Sequence, residues 1–111
     1  MNRIPVLGFA VLLLSGCAPH PAAGVWEPEE TDAPFTRIDV QFNGRADLFE
    51  PGKEKETLHC FWAAHSEDSV KMNCVPAENT DLKIPYRLVV RGSKAVLEKQ
   101  GQVVAHLRRA E

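Results

Sequence analysis

The side chains best suited to chemistry lie in one stretch of the chain. His59, Cys60, His65, Met72 and Cys74 combine imidazole, thiol and thioether groups, and these soft ligands suit Cu(I). Metal handling is therefore one hypothesis. A paired Cys-x-x-Cys or a regular histidine spacing, which would indicate a zinc site, does not occur.

Motifs for catalysis are absent from the sequence. It contains no Gly-x-Ser-x-Gly nucleophile turn, no motif that sets a histidine beside a serine or aspartate, and no glycine-rich phosphate loop. We therefore predict a protein that is not an enzyme and uses no cofactor.

The hydrophobic pattern around the two central cysteines favours a disulfide over a metal site. Apolar and polar residues alternate on both sides of a polar tip, which predicts two paired strands. With Ala64 opposite Val70, the register places Cys60 opposite Cys74, and opposed Cα atoms lie ~4.5–5.5 Å apart, within disulfide range. Both histidines of this hairpin fall on the other face, so we predict a disulfide and no metal.

Phe61 is the exception to this alternation, because it shares the face of the polar residues. An outward aromatic side chain is typical of a protein-binding surface. The alternative is that the N-terminal segment or the closure of a barrel covers that face.

The first residues have the plan of a secretory signal peptide. Arg3 precedes the apolar run Val6–Leu14, which is too short to cross a membrane, since a transmembrane helix needs ~20 residues. The run ends in Leu14-Ser15-Gly16-Cys17, an aliphatic residue and two small residues before a cysteine. This motif resembles the lipobox of bacterial lipoproteins.

The lipobox resemblance implies cleavage after Gly16 and lipidation of Cys17, with residues 1–16 removed. Two or more acyl chains anchor a protein stably, so the membrane is one predicted partner. In a Gram-negative host, Ala18 in place of an aspartate implies the outer membrane, with the domain facing the periplasm.

Composition divides the remaining chain in two. Residues 17–34 are rich in proline and acidic side chains and predict an extended tether, which leaves residues 35–111 as a β-domain. Within the tether, Gly24-Val25-Trp26 resembles the Gly-x-Trp that opens the first strand of lipocalin-like barrels. That resemblance implies a small-ligand carrier with Trp26 near its site; we prefer a tryptophan that closes the end of a small β-core.

Two further hairpins follow from period-two alternation and turn residues. Asn43-Gly44 predicts a turn, and a three-residue loop would pair Phe42 with Ala46 and turn Phe42 inward. Gly92-Ser93 predicts a second turn, with Leu88 opposite Leu97 and Val90 opposite Ala95. In the last strand Val103, Ala105 and Leu107 are expected to face inward and Arg109 outward. The fold class is thus all-β: an antiparallel meander of about six or seven strands, barrel-like or curled.

Charge is unevenly distributed along the chain. Residues 27–81 carry 13 acidic and 5 basic side chains, net −8, whereas residues 82–111 carry 7 basic and 2 acidic side chains, net +5. We expect the two halves to lie side by side and neutralise each other. A net charge of −3 after removal of residues 1–16 does not favour a nucleic-acid partner.

These features favour a binding module on a lipid anchor over a ligand carrier or a metal-handling protein. By architecture alone the predicted domain is similar to small lipoprotein inhibitors of lysozyme, whose signature segments are not found here. We predict that the domain binds another periplasmic or outer-membrane protein, in an accessory, assembly or inhibitory role.

Overall fold

A computed structural model describes residues 19–110, which form a closed barrel of eight antiparallel strands. Each strand pairs with the next, and the last strand pairs with the first. The predicted all-β meander is confirmed, with one strand more than the upper estimate. The strands are β1 (Gly24–Pro28), β2 (Arg37–Val40), β3 (Arg45–Phe49), β4 (Leu58–Ser66), β5 (Ser69–Pro76), β6 (Ile84–Arg91), β7 (Lys94–Lys99) and β8 (Gln102–Arg109).

The additional strand lies inside the segment predicted to be a tether. β1 pairs with β2 through Gly24 and Val40, and with β8 through Trp26 and Arg109. The boundary predicted at residue 35 is therefore wrong, because the barrel needs β1 to join its edges and remove unpaired backbone groups. The signal peptide and Cys17 lie outside the described residues.

Two hairpins have the predicted register. In β4–β5, Cys60 lies opposite Cys74 and Ala64 opposite Val70. In β6–β7, Leu88 lies opposite Leu97 and Val90 opposite Ala95. The inward residues of all the strands meet in one core, whose largest fully buried side chains are Trp26, Ile38, Leu48, Met72, Leu88, Leu97 and Leu107.

The β2–β3 hairpin differs from the prediction. Val40, not Phe42, lies opposite Ala46, and Phe42 sits in the turn with 76% of its surface exposed. The turn is longer than predicted because β2 ends at Val40, and the Gln41 N–H donates to the Arg45 carbonyl across it (2.8 Å).

The start of β8 also differs. Val103 is 53% exposed instead of inward, because the β7–β8 register shifts between Leu97 and Glu98. This bulge breaks the alternation, so that Ala105 and Leu107 are buried while Val103 is not.

The up-and-down topology separates two ends. The turns β2–β3, β4–β5 and β6–β7 lie at the end where β1 begins, together with residues 19–23, which we call the N-terminal strap. The connections β1–β2, β3–β4, β5–β6 and β7–β8 form the opposite end, which we call the far end.

Candidate functional site

The two central cysteines form the predicted disulfide. Cys60 and Cys74 are bonded across β4 and β5, 14 residues apart in sequence, and both are buried. Closing a loop of this length stabilises the fold by ~3 kcal/mol in the chain-entropy model. Because both sulfurs are bonded, neither offers a thiolate to a metal. Among residues 19–110, no group of three or more His, Cys, Asp or Glu side chains is arranged to hold a metal ion.

Trp26 closes the strap end of the core. It is fully buried, and its indole Nε1–H donates to the Ala22 carbonyl (2.9 Å). The Arg109 guanidinium lies 4.3 Å from the centre of the indole ring, so Arg109 does not point outward as predicted. A Cβ at Gly24 would come 3.0 Å from that guanidinium, with φ at +132°. Trp26 therefore has no surface to offer a partner, although it does lie in the first strand, as the Gly-x-Trp resemblance implies.

The N-terminal strap is attached to the barrel and does not extend away from it. His20 Nε2 lies 2.9 Å from the Ser66 carbonyl on β4, and Arg109 donates to the carbonyls of Ala23 (3.1 Å) and Pro21. Ala22 is fully buried. The strap is thus a lid over the core and belongs to the folded domain.

Phe61 lies on the outer face, as predicted. It is 62% exposed, and the Arg45 guanidinium opposite it on β3 lies 5.9 Å from its ring centre. Neither the strap nor barrel closure covers it. Phenylalanine and arginine are both enriched at protein–protein interfaces relative to the rest of the surface.

A hydrogen-bonded carboxylate lies beside this aromatic side chain. Asp47 Oδ1 is 3.1 Å from His59 Nδ1, and Gln41 Nε2 donates to Asp47 Oδ2 (3.1 Å). Glu56 Oε1 lies 3.6 Å from the other nitrogen of His59. These groups line a groove of about 360 Å³, the Phe61 groove, formed by Gln41, Arg45, Asp47, Glu56, His59, Cys60 and Phe61.

The sequence indicated Phe61 as an outward aromatic residue and His59 as a possible metal ligand, but not that Asp47, Gln41 and Glu56 join them in one groove. The signal was present in the strand alternation, because Asp47 and His59 occupy outward positions on adjacent strands. No register between β3 and β4 was predicted, so the position of Asp47 opposite His59 was not foreseen.

Acidic side chains of the N-terminal half pair with basic side chains of the C-terminal half, as predicted from the charge distribution. Lys94 on β7 forms an ion pair with Glu29, and His106 Nδ1 lies 2.6 Å from Glu30 Oε2. The backbone N–H of His106 also donates to the Glu30 carboxylate (3.0 and 3.1 Å). These hydrogen bonds hold the pKa of Glu30 below its ordinary value, chiefly through the His106 side chain. The acidic segment after β1 is thus fixed against the basic C-terminal strands.

A second hollow opens at the far end, where no site was predicted. It has a volume of about 410 Å³, and we call it the far-end cleft. Residues from three separate connections meet there, so no local sequence pattern indicates it. Its lining is Pro34, Phe35, Glu50, Lys53, Glu56, Thr57, Leu58, Pro76, Ala77, Glu78, Ile84 and Tyr86.

Comparison of the chain with protein-family models, curated proteins and solved structures found no match. No helix within residues 19–110 has the length and apolar character needed to cross a membrane.

Proposed function

We propose that this chain is a lipid-anchored envelope lipoprotein, and that its barrel binds another periplasmic or outer-membrane protein through the Phe61 groove. The exposure of Phe61, at 62%, is the observation that supports this most. A barrel of this size fills its interior with its own side chains. A partner would therefore bind to its outer surface.

Hydrogen bonds hold the polar side chains of the groove in place in the absence of a partner. Asp47 already fixes His59 and Gln41, so these side chains lose little rotamer freedom on association. An apolar side chain from a partner would cover the Phe61 ring, and an acidic neighbour would reach Arg45. The partner surface we propose is therefore a loop that carries an apolar residue beside an aspartate or glutamate.

The anchor and the groove favour the same location. Lipidation of Cys17 would place the strap end toward the bilayer, and Phe61 pairs with Arg45 at the strap end of β3. The partner would then bind beside the barrel and close to the membrane. In a Gram-negative host, Ala18 favours the outer membrane.

The first test separates the anchor from the binding surface. The full precursor is expressed in a Gram-negative cell, and inner and outer membranes are separated. We expect the protein in the outer membrane and the Cys17→Ser variant in the soluble fraction. A Cys17→Ser variant that stays on the membrane contradicts lipid anchoring.

The second test uses a photo-crosslinking amino acid at position 61 in intact cells, with position 103 as the matched control. Val103 is also an exposed apolar residue on a strand (53%), but it lies on β8. We expect one crosslinked protein from position 61, none from position 103, and loss of the product in an Arg45→Ala background. Equal crosslinking from both positions contradicts the groove as the binding surface.

A further inference from the structure

The far-end cleft combines an apolar floor with acidic walls. Phe35, Leu58, Ile84 and Tyr86 provide apolar surface, and Phe35 meets Tyr86 edge to face at 6.1 Å between ring centres. The volume of about 410 Å³ lies within the range of small-ligand sites, and the mouth of a barrel is a common place for them.

Charge in the cleft is unbalanced. Glu50, Glu56 and Glu78 face a single lysine, Lys53, which gives a net charge of −2. Glu56 is shared with His59 of the Phe61 groove (3.6 Å). Glu50 and Glu78 form no ion pair with another residue of the range 19–110. Both glutamates are exposed, so two carboxylates are available to a cation at the edge of this apolar cleft.

Tyr86 supplies an independent polar group. Tyr86 is 8% exposed and lines the cleft, and its hydroxyl forms no side-chain hydrogen bond to another described residue. Burial, and then the negative charge of Glu50, raise the pKa of Tyr86 above its ordinary value of 10.0. Glu50 and Tyr86 line the same cleft.

We propose that the far-end cleft binds an alkyl-ammonium or alkyl-guanidinium group, with the cation between Glu50, Glu78 and Tyr86. The alkyl chain would lie on Phe35 and Leu58, as the stems of lysine and arginine lie on apolar surfaces. The aromatic ring and hydroxyl of Tyr86 complete the site by cation–π attraction and hydrogen bonding. A neutral alkyl ligand would cover carboxylates without pairing them, which is unfavourable. The cleft and the Phe61 groove share Glu56, but the proposed cation site at Glu50, Glu78 and Tyr86 uses no residue of the groove, and it goes beyond the function proposed above.

Two sources present this chemistry: a free polyamine, or a lysine or arginine side chain of a peptide. Binding of either one can be followed on the purified full-length protein by NMR. Tyr86 is its single tyrosine, so labelling the tyrosine ring gives one signal that belongs to the cleft. Titration with hexylammonium is expected to shift that signal with a Kd on the order of 1 mM. Hexanol, the neutral match, is expected to bind at least about 10-fold more weakly.

Two isosteric variants test whether the carboxylate that binds the cation lies in the cleft. Glu50→Gln is expected to weaken hexylammonium about 5-fold, whereas Glu67→Gln, on the β4–β5 turn at the opposite end, leaves it unchanged. Equal weakening by both variants, equal binding of hexanol, or an unmoved Tyr86 signal at saturating hexylammonium overturns the proposal.

Spermidine and an acetylated Leu-Lys-Leu peptide amide then distinguish the sources. Tighter binding of spermidine supports a polyamine, and tighter binding of the peptide supports a protein side chain. If neither shifts the Tyr86 signal at ten times the hexylammonium Kd, the proposed site is wrong for both sources.

Discussion

Replacing Trp26 with phenylalanine tests how the strap end of the barrel is held. Phenylalanine keeps an aromatic ring beneath Arg109, which lies 4.3 Å from the indole centre, but removes the Nε1–H that binds the Ala22 carbonyl at 2.9 Å. The variant therefore separates the hydrogen bond and the ring volume from the stacking contact.

The expected loss of stability has two contributions. An unmade hydrogen bond at a buried site costs ~1–1.5 kcal/mol. The indole is larger than a phenyl ring by ~40 Å³, and at ~24 cal/mol per Å³ of cavity this costs ~1 kcal/mol. We expect Trp26→Phe to lower the free energy of unfolding by ~2–2.5 kcal/mol in urea denaturation followed by circular dichroism.

The matched control is Trp62→Phe. Trp62 also donates its Nε1–H to a backbone carbonyl, that of Gln41 at 2.8 Å, but it is only half-buried, so we expect a loss of ~1 kcal/mol or less. Hydrogen exchange adds a local measurement: the amides of Ala22 and Ala23, which bond within the strap at 3.0 Å, should exchange faster in Trp26→Phe alone. Equal destabilisation by both variants, with unchanged exchange in the strap, would refute this account.

Replacing both cysteines of the β4–β5 disulfide by alanine should lower the free energy of unfolding by at least ~3 kcal/mol; a urea midpoint equal to that of the native protein would contradict a stabilising disulfide. The pKa of Glu30 is lower in the fold than its ordinary value of 4.5, so its contact with His106 stabilises the fold at neutral pH, and this contribution is lost as pH falls through the folded pKa. Glu30→Gln should therefore be less stable than the native protein at pH 7 and equal to it at pH ~2; a difference that persists in acid would be evidence against the pair. The pKa of Tyr86 is raised, so absorbance at 295 nm should show the single tyrosine ionising above pH 10, and Glu50→Gln should move that transition lower. The neutral phenol stabilises the fold below pH 10, and this contribution is lost as pH rises through the folded pKa; a transition unmoved by Glu50→Gln would exclude the influence of that carboxylate.

The alternation of apolar and polar residues was sufficient to predict the register of hairpins whose two strands are adjacent in sequence. The β4–β5 register follows from Cys60 and Cys74, since both must share the apolar face. The β6–β7 register follows from a two-residue turn at Gly92 and the inward pair Leu88 and Leu97. In each case the turn and the pattern indicate one alignment.

Features that depend on distant parts of the chain could not be predicted in this way. β1 has few apolar residues, and its pairing with β8 joins Trp26 to Arg109, 83 positions later. One local feature was also missed: the inward position predicted for Val103 was wrong because a bulge in the β7–β8 hairpin at Glu98 changes the alternation. The far-end cleft joins Glu50 of the β3–β4 connection to Tyr86 of β6, so only the assembled barrel creates it.

With a lipid on Cys17, as proposed, the attachment of the strap would limit how far the barrel reaches from the membrane. His20 is already bound to β4 through the Ser66 carbonyl, and three residue steps separate it from Cys17. At ~3.5 Å per residue, a lipid on Cys17 would keep the barrel within ~10 Å of its attachment point. The barrel would then meet membrane-bound partners by diffusing in the plane of the membrane. A soluble periplasmic protein would have to diffuse to the membrane to bind it. The far-end cleft would meanwhile face away from the bilayer, toward soluble molecules.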